Sequence, residues 1–374
     1  MRITGAVLEE IGVPRPFAAS RAFTVGELDL DAPGPGELLV RIEAAGVCHS
    51  DLSVVDGSRA RPVPMLLGHE AAGIVESVGP GGSDIAPGTR VVMTFLPRCG
   101  DCAGCRTDGR LPCGPGSAAN GAGTLASGAI RLHRAGSDGA TDGTAAPVHH
   151  HLGVSAFATH AVVSRTSVVP VDADVPAEIA ALLGCAVLTG GGAVLNAGRP
   201  APGDTVAVVG LGGVGMAALL VARALGHEVI GVDAVADKLV TARELGATAV
   251  FGPDEVGAVR APVVIEAAGS ARAFETALAM TAPGGTTVTV GLPSPDARAA
   301  VSPLTLTAEA RTVIGSYLGS AVPARDIPRY IELWRAGRLP LEALVSSRIA
   351  LGDIAEAMDR LAAGGELRQL ILFP

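Results

Sequence analysis

Short apolar runs alternate with longer helical stretches in the second half of the chain, from about Cys185 onward. The clearest run, Val206 to Val209, leads into a glycine-rich turn and a helical stretch that ends near Ala224. The pattern also predicts strands at Val229 to Asp233, Val263 to Glu266 and Val288 to Val290, and a helix at Lys238 to Leu245. Strands and helices that alternate in this way predict βαβ units on a doubly wound parallel sheet, so the expected fold class is α/β.

The first half of the chain and its tail follow other patterns. Glu37 to Glu43 and Ala71 to Val78 are typical of strands separated by Gly and Pro turns, which predicts a β-rich region. Gly114 to Pro147 is rich in Gly, Ala and Ser and favours a long surface excursion or a flexible linker. In the tail we expect helices at Tyr330 to Ala336 and Ile354 to Ala363, and a last strand at Gln369 to Phe373.

Composition narrows the class of protein. The 374 residues are enough for two domains, and the 48% of hydrophobic residues is enough for sizeable cores. A net charge of -9 without a basic block argues against a nucleic-acid partner. The N-terminus lacks the apolar stretch of a signal peptide, and the longest apolar run, Val206 to Ala222, is short for a membrane span. We therefore expect a cytoplasmic protein that does not bind a membrane.

Four of the six cysteines form a compact sequence motif. They have the spacing C-x2-C-x2-C-x7-C, and they are Cys99, Cys102, Cys105 and Cys113. Four thiolates on one short loop suit a tetrahedral zinc ion, and four protein ligands leave no open position for a substrate. The pattern therefore predicts a structural zinc site. An iron–sulfur cluster and unrelated free thiols are the alternatives.

The other two cysteines suggest a second metal site. Cys48 and Cys185, with His69, would make a two-cysteine, one-histidine zinc set that leaves a fourth position for water or substrate. These residues are scattered along the chain, and a buried cysteine is more often a small hydrophobic residue. The catalytic-zinc hypothesis therefore depends on the neighbouring motifs.

A dinucleotide-binding turn is the strongest of those motifs. Gly210, Gly212 and Gly215 fit G-x-G-x-x-G between a predicted strand and a predicted helix. Such a turn brings backbone N–H groups and a helix N-terminus to a pyrophosphate. Asp233 lies near the expected spacing, where a carboxylate binds ribose hydroxyls and repels a 2′-phosphate, which favours NAD over NADP. Lys238, the only lysine in the chain, either reaches the adenosine ribose or is a solvated helix residue.

Taken together, these motifs resemble the zinc-containing medium-chain alcohol dehydrogenases over nearly the whole chain. The matching stretches are CHSD (48–51), GHEAAGIV (68–75), the cysteine loop (99–113), GCAVLTG (184–190), GLGGVG (210–215), VGLP (290–293) and LRQLILF (367–373). The resemblance implies a GroES-like catalytic domain, residues 1–186 and 325–374, and a Rossmann domain, residues 187–324. The segment after Cys113 is similar to that of the longer liver-type and glutathione-dependent formaldehyde dehydrogenases, which are usually dimers, so a homodimer is expected.

The resemblance also implies roles for individual residues. Zinc would lie on Cys48, His69 and Cys185, with Glu70 nearby, Asp51 orienting His69 and Ser50 bonded to the substrate oxygen. The remaining expected contacts of the cofactor are His49 and Arg368 at the pyrophosphate, Gly213 and Val214 in the turn, and Thr189, Val290 and Leu292 near the nicotinamide. Phe95 and His151 would line the substrate pocket. Ser53 stands where the liver pattern has the histidine of the proton relay, which leaves the proton route open.

Zinc-assisted interconversion of a small alcohol and its carbonyl compound, with two zinc ions per chain and NAD(H), is the activity that this resemblance implies. Relatives of the architecture also reduce activated C=C or iminium bonds, so that reaction is an alternative. A non-catalytic cofactor-binding scaffold is a more remote one. The identity of the substrate and any use of a thiol co-substrate stay open.

Overall fold

The structure, a computed structural model, describes residues 1–135 and 146–374. Its strands are numbered in chain order: β1 (Arg2–Leu8), β2 (Phe23–Leu30), β3 (Glu37–Val47), β4 (Met65–Leu66), β5 (Glu70–Val78), β6 (Arg90–Met93), β7 (Leu132–Arg134), β8 (Pro147–His150), β9 (His160–Ser164), β10 (Val168–Val171), β11 (Val206–Val209), β12 (Val229–Val232), β13 (Ala249–Phe251), β14 (Ala261–Glu266), β15 (Thr281–Thr289), β16 (Thr312–Gly315), β17 (Val345–Ile349) and β18 (Arg368–Leu372).

The helices are likewise numbered in chain order: α1 (Phe17–Ser20), α2 (His49–Val55), α3 (Gly114–Ala122), α4 (Ala177–Leu183), α5 (Ala186–Gly192), α6 (Gly213–Ala224), α7 (Ala236–Glu244), α8 (Ala271–Met280), α9 (Pro303–Ala308), α10 (Pro323–Arg335) and α11 (Ile354–Ala363). Short 3-10 turns occur at Cys105–Thr107, Arg165–Ser167, Tyr317–Ser320, Leu341–Leu344 and Leu351–Asp353, and Ala193–Gly198 forms a π-helical extension of α5.

A parallel sheet forms the nucleotide-binding half of the fold. Its strand order is β13-β12-β11-β14-β15-β16, and every neighbouring pair is parallel. The central strand β11 is buried along its whole length, as a parallel strand covered by helices on both faces must be. The predicted βαβ architecture is confirmed.

The other half of the fold is β-rich. Strands β1, β2, β7, β8 and β4 close into a small barrel, and a second sheet has the order β10-β6-β5-β3-β18-β17, with β9 also paired to β3. Strands β17 and β18 come from the end of the chain, and β18 pairs antiparallel with β3 from its beginning. This half is therefore assembled from both ends of the chain.

Helix α5 connects the two halves through its glycines. A Cβ atom on Gly191 would lie 2.7 Å from the Tyr330 hydroxyl, and one on Gly192 would lie 2.3 Å from the Gly319 carbonyl oxygen. Because these positions lack side chains, α10 and the turn Tyr317–Ser320 pack directly on α5. The core cluster around α5 includes both Cys185 and residues of β11, so it runs through both halves.

The segment after Cys113 differs from its prediction. Instead of a surface excursion, Gly114–Ala122 forms α3, and a Cβ on Gly116 would meet the Pro97 ring at 2.7 Å, so small residues allow this helix to pack closely. Asn120 on α3 is buried and donates to the Phe95 carbonyl oxygen at 2.7 Å. Strands β7 and β8 join the barrel, while residues 136–145 of the predicted excursion lie outside the described residues.

Other predicted elements are present with different ends. Strand β15 extends well before Val288, because Thr281 already pairs with Ala261, whereas the Pro-Gly-Gly stretch that follows is an irregularity in the pairing. Helix α10 begins at Pro323, seven residues before the predicted Tyr330, because Pro323 suits the first turn of a helix. The helix predicted from Lys238 begins at Ala236, and the last strand is shifted by one residue, which is the usual scatter at element ends.

Within the described ranges, no single helix is long and apolar enough to cross a bilayer, although Ala177–Leu183 with Ala186–Gly198 passes that test as a pair bent by 48°.

Candidate metal centre and dinucleotide cleft

Cys48, His69 and Cys185 meet in one buried cluster, which is called the metal cluster below because its residue types suit a metal ion. Cys48 caps α2, His69 immediately precedes β5, and Cys185 caps α5. One ligand atom from each lies within 4.8 Å of the others. The His69 Nε2 atom is buried and has no hydrogen-bond partner among the described residues. An unpaired ring nitrogen beside two thiols is the environment that a three-ligand metal site requires.

The two thiols of this cluster lie close enough to shift each other's pKa. The neighbouring Cys185 thiol lowers the pKa of Cys48 well below its usual value, and the Arg368 charge acts in the same direction. The Cys48 thiol, together with burial, raises the pKa of Cys185. A lowered thiol pKa favours the thiolate, which is the form that binds metal, so the cluster suits a cation.

Asp51 contacts the His69 ring. Its Oδ1 atom lies 3.1 Å from His69 Nδ1 and accepts the Gly68 N–H, and its Oδ2 atom accepts the Cys48 N–H. Burial alone would raise the pKa of Asp51, but the two nearby histidines hold it well below its usual range. The carboxylate thus keeps the proton of His69 on Nδ1 and leaves Nε2 free to bind a metal.

His151 contacts the same carboxylate. Its Nδ1 atom is 3.1 Å from Asp51 Oδ1, although it is not aligned as a hydrogen bond, and its ring meets the His69 ring edge-on at 5.5 Å. Burial lowers the pKa of His151, so the ring is neutral near pH 7. The predicted pocket residue therefore packs directly against the metal cluster.

Glu70 and Arg368 link the metal cluster to the nucleotide-binding half. Glu70 Oε1 lies 3.3 Å from Arg368 Nε, and both side chains are buried. Burial raises the pKa of Glu70 to about 7, against the opposing effect of the Arg368 charge. A Cβ on Gly213 would lie 2.7 Å from Arg368 Cζ, so the guanidinium is held at the N-terminus of α6.

An aromatic wall extends from the metal cluster. Phe95 meets the His69 ring at 5.6 Å and the Tyr317 ring at 5.6 Å, both edge-on. Tyr317 follows β16 and so comes from the nucleotide-binding half. Sequence analysis missed Tyr317, although an aromatic residue in a chain with only two tyrosines was an available signal.

The first turn of α2 carries the predicted proton-handling residues. Ser50 is half-buried there, and the Ser53 hydroxyl donates to the Ser50 carbonyl oxygen at 2.9 Å. The Ser53 hydroxyl proton is thus already used within the helix. His49, on the same turn, keeps much of its surface exposed, but burial of the rest lowers its pKa, and the Arg368 and Lys238 charges add to that effect.

The glycine turn has the shape expected for binding a phosphate. Gly210 has φ +95°, and a Cβ there would lie 2.5 Å from the Ala268 nitrogen. A Cβ on Gly215 would lie 1.7 Å from the Gly210 carbonyl oxygen, whereas one on Gly212 would meet nothing within 4 Å. Gly210 and Gly215 are therefore required by packing, while Gly212 faces open space. Val214 follows within the first turn of α6.

Asp233 holds this turn in place from the next strand. Its Oδ2 atom accepts the Leu211 N–H at 2.7 Å, and its Oδ1 atom accepts the Val235 N–H at 2.9 Å. Lys238 is half-buried on α7, and its charge contributes to the lowered pKa of His49.

The strand ends on the far side of the turn contain a residue that sequence analysis missed. Glu266 is buried, and it accepts the N–H groups of Ala268 and Gly269 and the Thr289 hydroxyl. Its own carbonyl oxygen accepts the Val290 N–H at 2.9 Å. The signal available in the sequence was the acidic residue Glu266 at the end of an otherwise apolar strand. Of the other residues expected near the nicotinamide, Thr189 is mostly buried in α5, whereas Leu292 is 50% exposed.

The second cysteine cluster lies on the surface loop before α3. Its four sulfur atoms lie within 4.8 Å of one another, and they belong to Cys99, Cys102, Cys105 and Cys113. Hydrogen bonds from the N–H groups of Cys105 and Gly114 lower the pKa of Cys102 to about 6. The arrangement fits a closed four-thiolate metal site. The loop also contacts the start of α10, because Asp108 is 2.7 Å from Arg325.

Two family models match this chain. Residues 34–173 match the one described as alcohol dehydrogenase GroES-like domain, and residues 213–336 match the one described as zinc-binding dehydrogenase. The first range includes Cys48, His69 and the cysteine loop, and the second begins at Gly213 within the glycine turn.

Individual relatives match the chain along its whole length. The NDMA-dependent alcohol dehydrogenase of Amycolatopsis methanolica is 36% identical, with 100% of this chain and 99% of the relative covered. Among solved structures, an alcohol dehydrogenase zinc-binding domain protein from Burkholderia ambifaria has a TM-score of 0.90 at 31% identity, covering 100% and 99% of the two chains. Benzyl alcohol dehydrogenase from Acinetobacter calcoaceticus has a TM-score of 0.86 at 29% identity, with both chains fully covered.

Proposed function

Because the chain belongs to the zinc-containing medium-chain dehydrogenase family and is an oxidoreductase of the alcohol dehydrogenase type, we propose that it interconverts a primary or secondary alcohol and its aldehyde or ketone with zinc and NAD(H). One observation carries this proposal: the buried Cys48, His69 and Cys185 cluster has an unpaired His69 Nε2 atom, and Arg368, which lies 3.3 Å from Glu70, connects it to Gly213 of the glycine turn.

The three ligands leave one coordination position for a substrate oxygen. When bound there, zinc supplies a Lewis acid that polarises that oxygen. Asp51 keeps the His69 ring in the orientation and tautomer that a ligand needs. Phe95 and Tyr317 exclude water from one side of the pocket, and His151 adds a polar edge beside the ligands.

Ser50 accepts the proton of the alcohol in this proposal, since it is half-buried on the first turn of α2, next to Cys48 and His49. Ser53 cannot pass that proton on with its own hydroxyl hydrogen while it donates to the Ser50 carbonyl oxygen. We therefore expect the proton to leave by a route other than Ser53, and His49, on the same turn of α2, is the side chain that could carry it.

The nicotinamide supplies a hydride acceptor when the dinucleotide is bound. The N–H groups of Gly212, Gly213 and Val214, with Arg368 and His49, would bind its pyrophosphate. Asp233 and Lys238 would hold the adenosine ribose, which favours NAD over NADP. Thr189, Val290 and Leu292 would surround the nicotinamide.

The remaining proposals concern the whole chain. Residues 1–186 and 325–374 would form the catalytic domain and residues 187–324 the Rossmann domain. Cys99, Cys102, Cys105 and Cys113 would hold a second, structural zinc. A homodimer of the liver-type or formaldehyde-dehydrogenase-like branch is expected, and light scattering measures that state.

The test is an assay of the purified chain with primary and secondary alcohols and with aldehydes, in the presence of NAD or NADP. An arm with NDMA as the acceptor is included, because one relative is named for that dependence. Cys48→Ala and His69→Ala should abolish turnover and retain NADH binding, as followed by nicotinamide fluorescence. Undiminished turnover in those variants would contradict the zinc role, and a strong NADP preference would contradict the role of Asp233.

A further inference from the structure

The segment between α2 and β4 carries two arginines, Arg59 and Arg61. Helix α2 begins next to Cys48, and β4 leads into His69, so the segment connects the two elements that carry these members of the cluster. The Arg59 N–H donates to the Ser53 carbonyl oxygen at 2.7 Å, which fixes the start of the segment against the end of α2. Both side chains are partly buried.

Neither guanidinium has an acidic partner among the described residues. Within residues 1–135 and 146–374, no carboxylate oxygen lies within 4.0 Å of a guanidinium nitrogen of Arg59 or Arg61. The side chain of Arg61 makes one hydrogen bond, a weak one of 3.4 Å to its neighbour's carbonyl oxygen, and its Nε atom is buried without a partner. Arg131, another partly buried arginine, is by contrast paired with Glu37.

An unpaired buried guanidinium N–H is costly, and a second positive charge beside it adds to that cost. Burial lowers the pKa of Arg61, and the nearby Arg59 charge lowers it further. Two like charges this close, in a chain with a net charge of -9, form a local positive field that attracts anions.

The segment that carries the two arginines runs beside one end of the aromatic wall. The Pro64 carbonyl oxygen accepts the His149 N–H at 2.8 Å, and the Leu66 carbonyl oxygen accepts the His151 N–H at 3.3 Å. Tyr317 and His151 are the two ends of the row of rings that passes through Phe95 and His69. The segment therefore lies beside the His151 end of the row, and the charges of Arg59 and Arg61 oppose the rise that burial causes in the pKa of Tyr317.

We propose that Arg59 and Arg61 bind an oxyanion, a carboxylate or a phosphate, at the end of an alcohol or aldehyde substrate that is remote from its reacting carbon. The inference rests on the proposed function and narrows its substrate class. A guanidinium fork matches the two oxygens of such a group, and the unpaired Arg61 Nε supplies a ready donor. The cofactor phosphates are not the expected ligand, because Arg368 and the open space at Gly212 already form a separate place for them.

The test compares three substrates of the same carbon length: 1-hexanol, 6-hydroxyhexanoate and 6-hydroxyhexyl phosphate. The wild-type chain should have a higher kcat/KM for at least one of the two anions than for 1-hexanol, and the better anion identifies the oxyanion. In Arg61→Met, the anionic-to-neutral ratio of kcat/KM should fall about tenfold or more, because charge-assisted hydrogen bonds are lost. Arg61→Lys should restore only part of the ratio, and the matched control Arg272→Met, at an exposed arginine paired with Asp254, should leave it unchanged.

A binding measurement keeps the inference testable if no alcohol is turned over. Calorimetry with hexanoate and with hexyl phosphate should show a Kd that rises about tenfold or more in Arg61→Met. Equal Kd values in the two proteins, an equal loss for neutral and anionic substrates, or weaker NADH binding in Arg61→Met would overturn the anion site. Turnover of 1-hexanol without any anionic preference would overturn this inference and leave the proposed function intact. If no substrate is turned over but hexanoate or hexyl phosphate still binds in a way that depends on Arg61, the proposed function would be overturned and the anion site would stand.

Discussion

Asp51 Oδ1 lies 3.1 Å from His69 Nδ1, and both side chains are fully buried. Replacing Asp51 by Asn keeps its shape but removes the charge that holds the His69 proton on Nδ1. The amide that replaces the carboxylate would also place its NH2 group against either the Cys48 N–H or the rings of His69 and His151, where the carboxylate oxygens now accept. We expect Asp51→Asn to weaken metal binding at the three-ligand cluster about 10- to 100-fold, as measured by competition with a chelator. The control Asp56→Asn, at the exposed end of α2, should not change it.

Gly212 and Gly215 should separate cofactor binding from folding. A methyl group on Gly212 meets no protein atom within 4 Å, so Gly212→Ala should change the free energy of unfolding by less than about 0.5 kcal/mol. It would instead fill the space proposed for the pyrophosphate, and NADH affinity should fall at least about tenfold.

The matched variant is Gly215→Ala, whose methyl group would collide with the Gly210 carbonyl oxygen. It should destabilise the chain by about 1–3 kcal/mol in denaturant unfolding. Unchanged NADH affinity in Gly212→Ala would show that the phosphates bind elsewhere.

Removal of a thiol from the cysteine loop should lower both the zinc content and the Tm of the chain. In Cys113→Ser, we expect metal analysis to find about one zinc fewer per chain, because three thiolates no longer close the site. The loop contacts Arg325 through Asp108, so its disorder should lower Tm by roughly 5–10 °C. His69→Ala is the counterpart, which should lose the other zinc with a smaller change in Tm. An unaltered metal content in Cys113→Ser would exclude a metal on this loop.

His150 should make the chain sensitive to acid. Its Nε2 atom accepts the Arg131 N–H at 3.0 Å, and burial lowers the pKa of His150 to about 3. The unfolded chain takes up the proton near pH 6.5, whereas the folded chain does so only near pH 3. Stability is therefore complete above pH 6.5 and falls as the pH drops toward 3, by about 2 kcal/mol between pH 6.5 and 5.

The measurement for His150 is urea unfolding at several pH values. His150→Gln retains an acceptor for the Arg131 N–H and removes the titrating ring, so its stability should fall less steeply over the same pH range. Parallel curves for the two proteins would exclude His150 as the source of the acid sensitivity.

Local sequence patterns predicted the elements whose determining residues lie close together in the sequence. The strand Val206–Val209, the glycine turn and the cysteine loop each place their determinants within a few residues, and the structure contains all three. The Cys48, His69 and Cys185 set became convincing only beside those motifs, and the structure brings its members together.

Features that depend on packing between distant segments were missed. Tyr317 reaches Phe95 from the other half of the fold, and no spacing in the sequence links the two. Gly114–Ala122 reads as a loop by composition, but its small residues are what let α3 pack on Pro97. Among the described residues, Arg59 and Arg61 have no carboxylate partner, and this too can be seen only from the three-dimensional positions of the acidic side chains.

Strand β18 carries Arg368 at its first position and pairs with β3, near the start of the chain. During synthesis on the ribosome, β3 and β5 emerge early, with Glu70 among them, but β18, the neighbour of β3, emerges only after nearly all of the other described elements. The nucleotide-binding half, which is continuous in sequence, can fold before that moment. The nascent chain should therefore acquire a folded Rossmann sheet first, while the cleft gains its buried cation only when translation has passed residue 368.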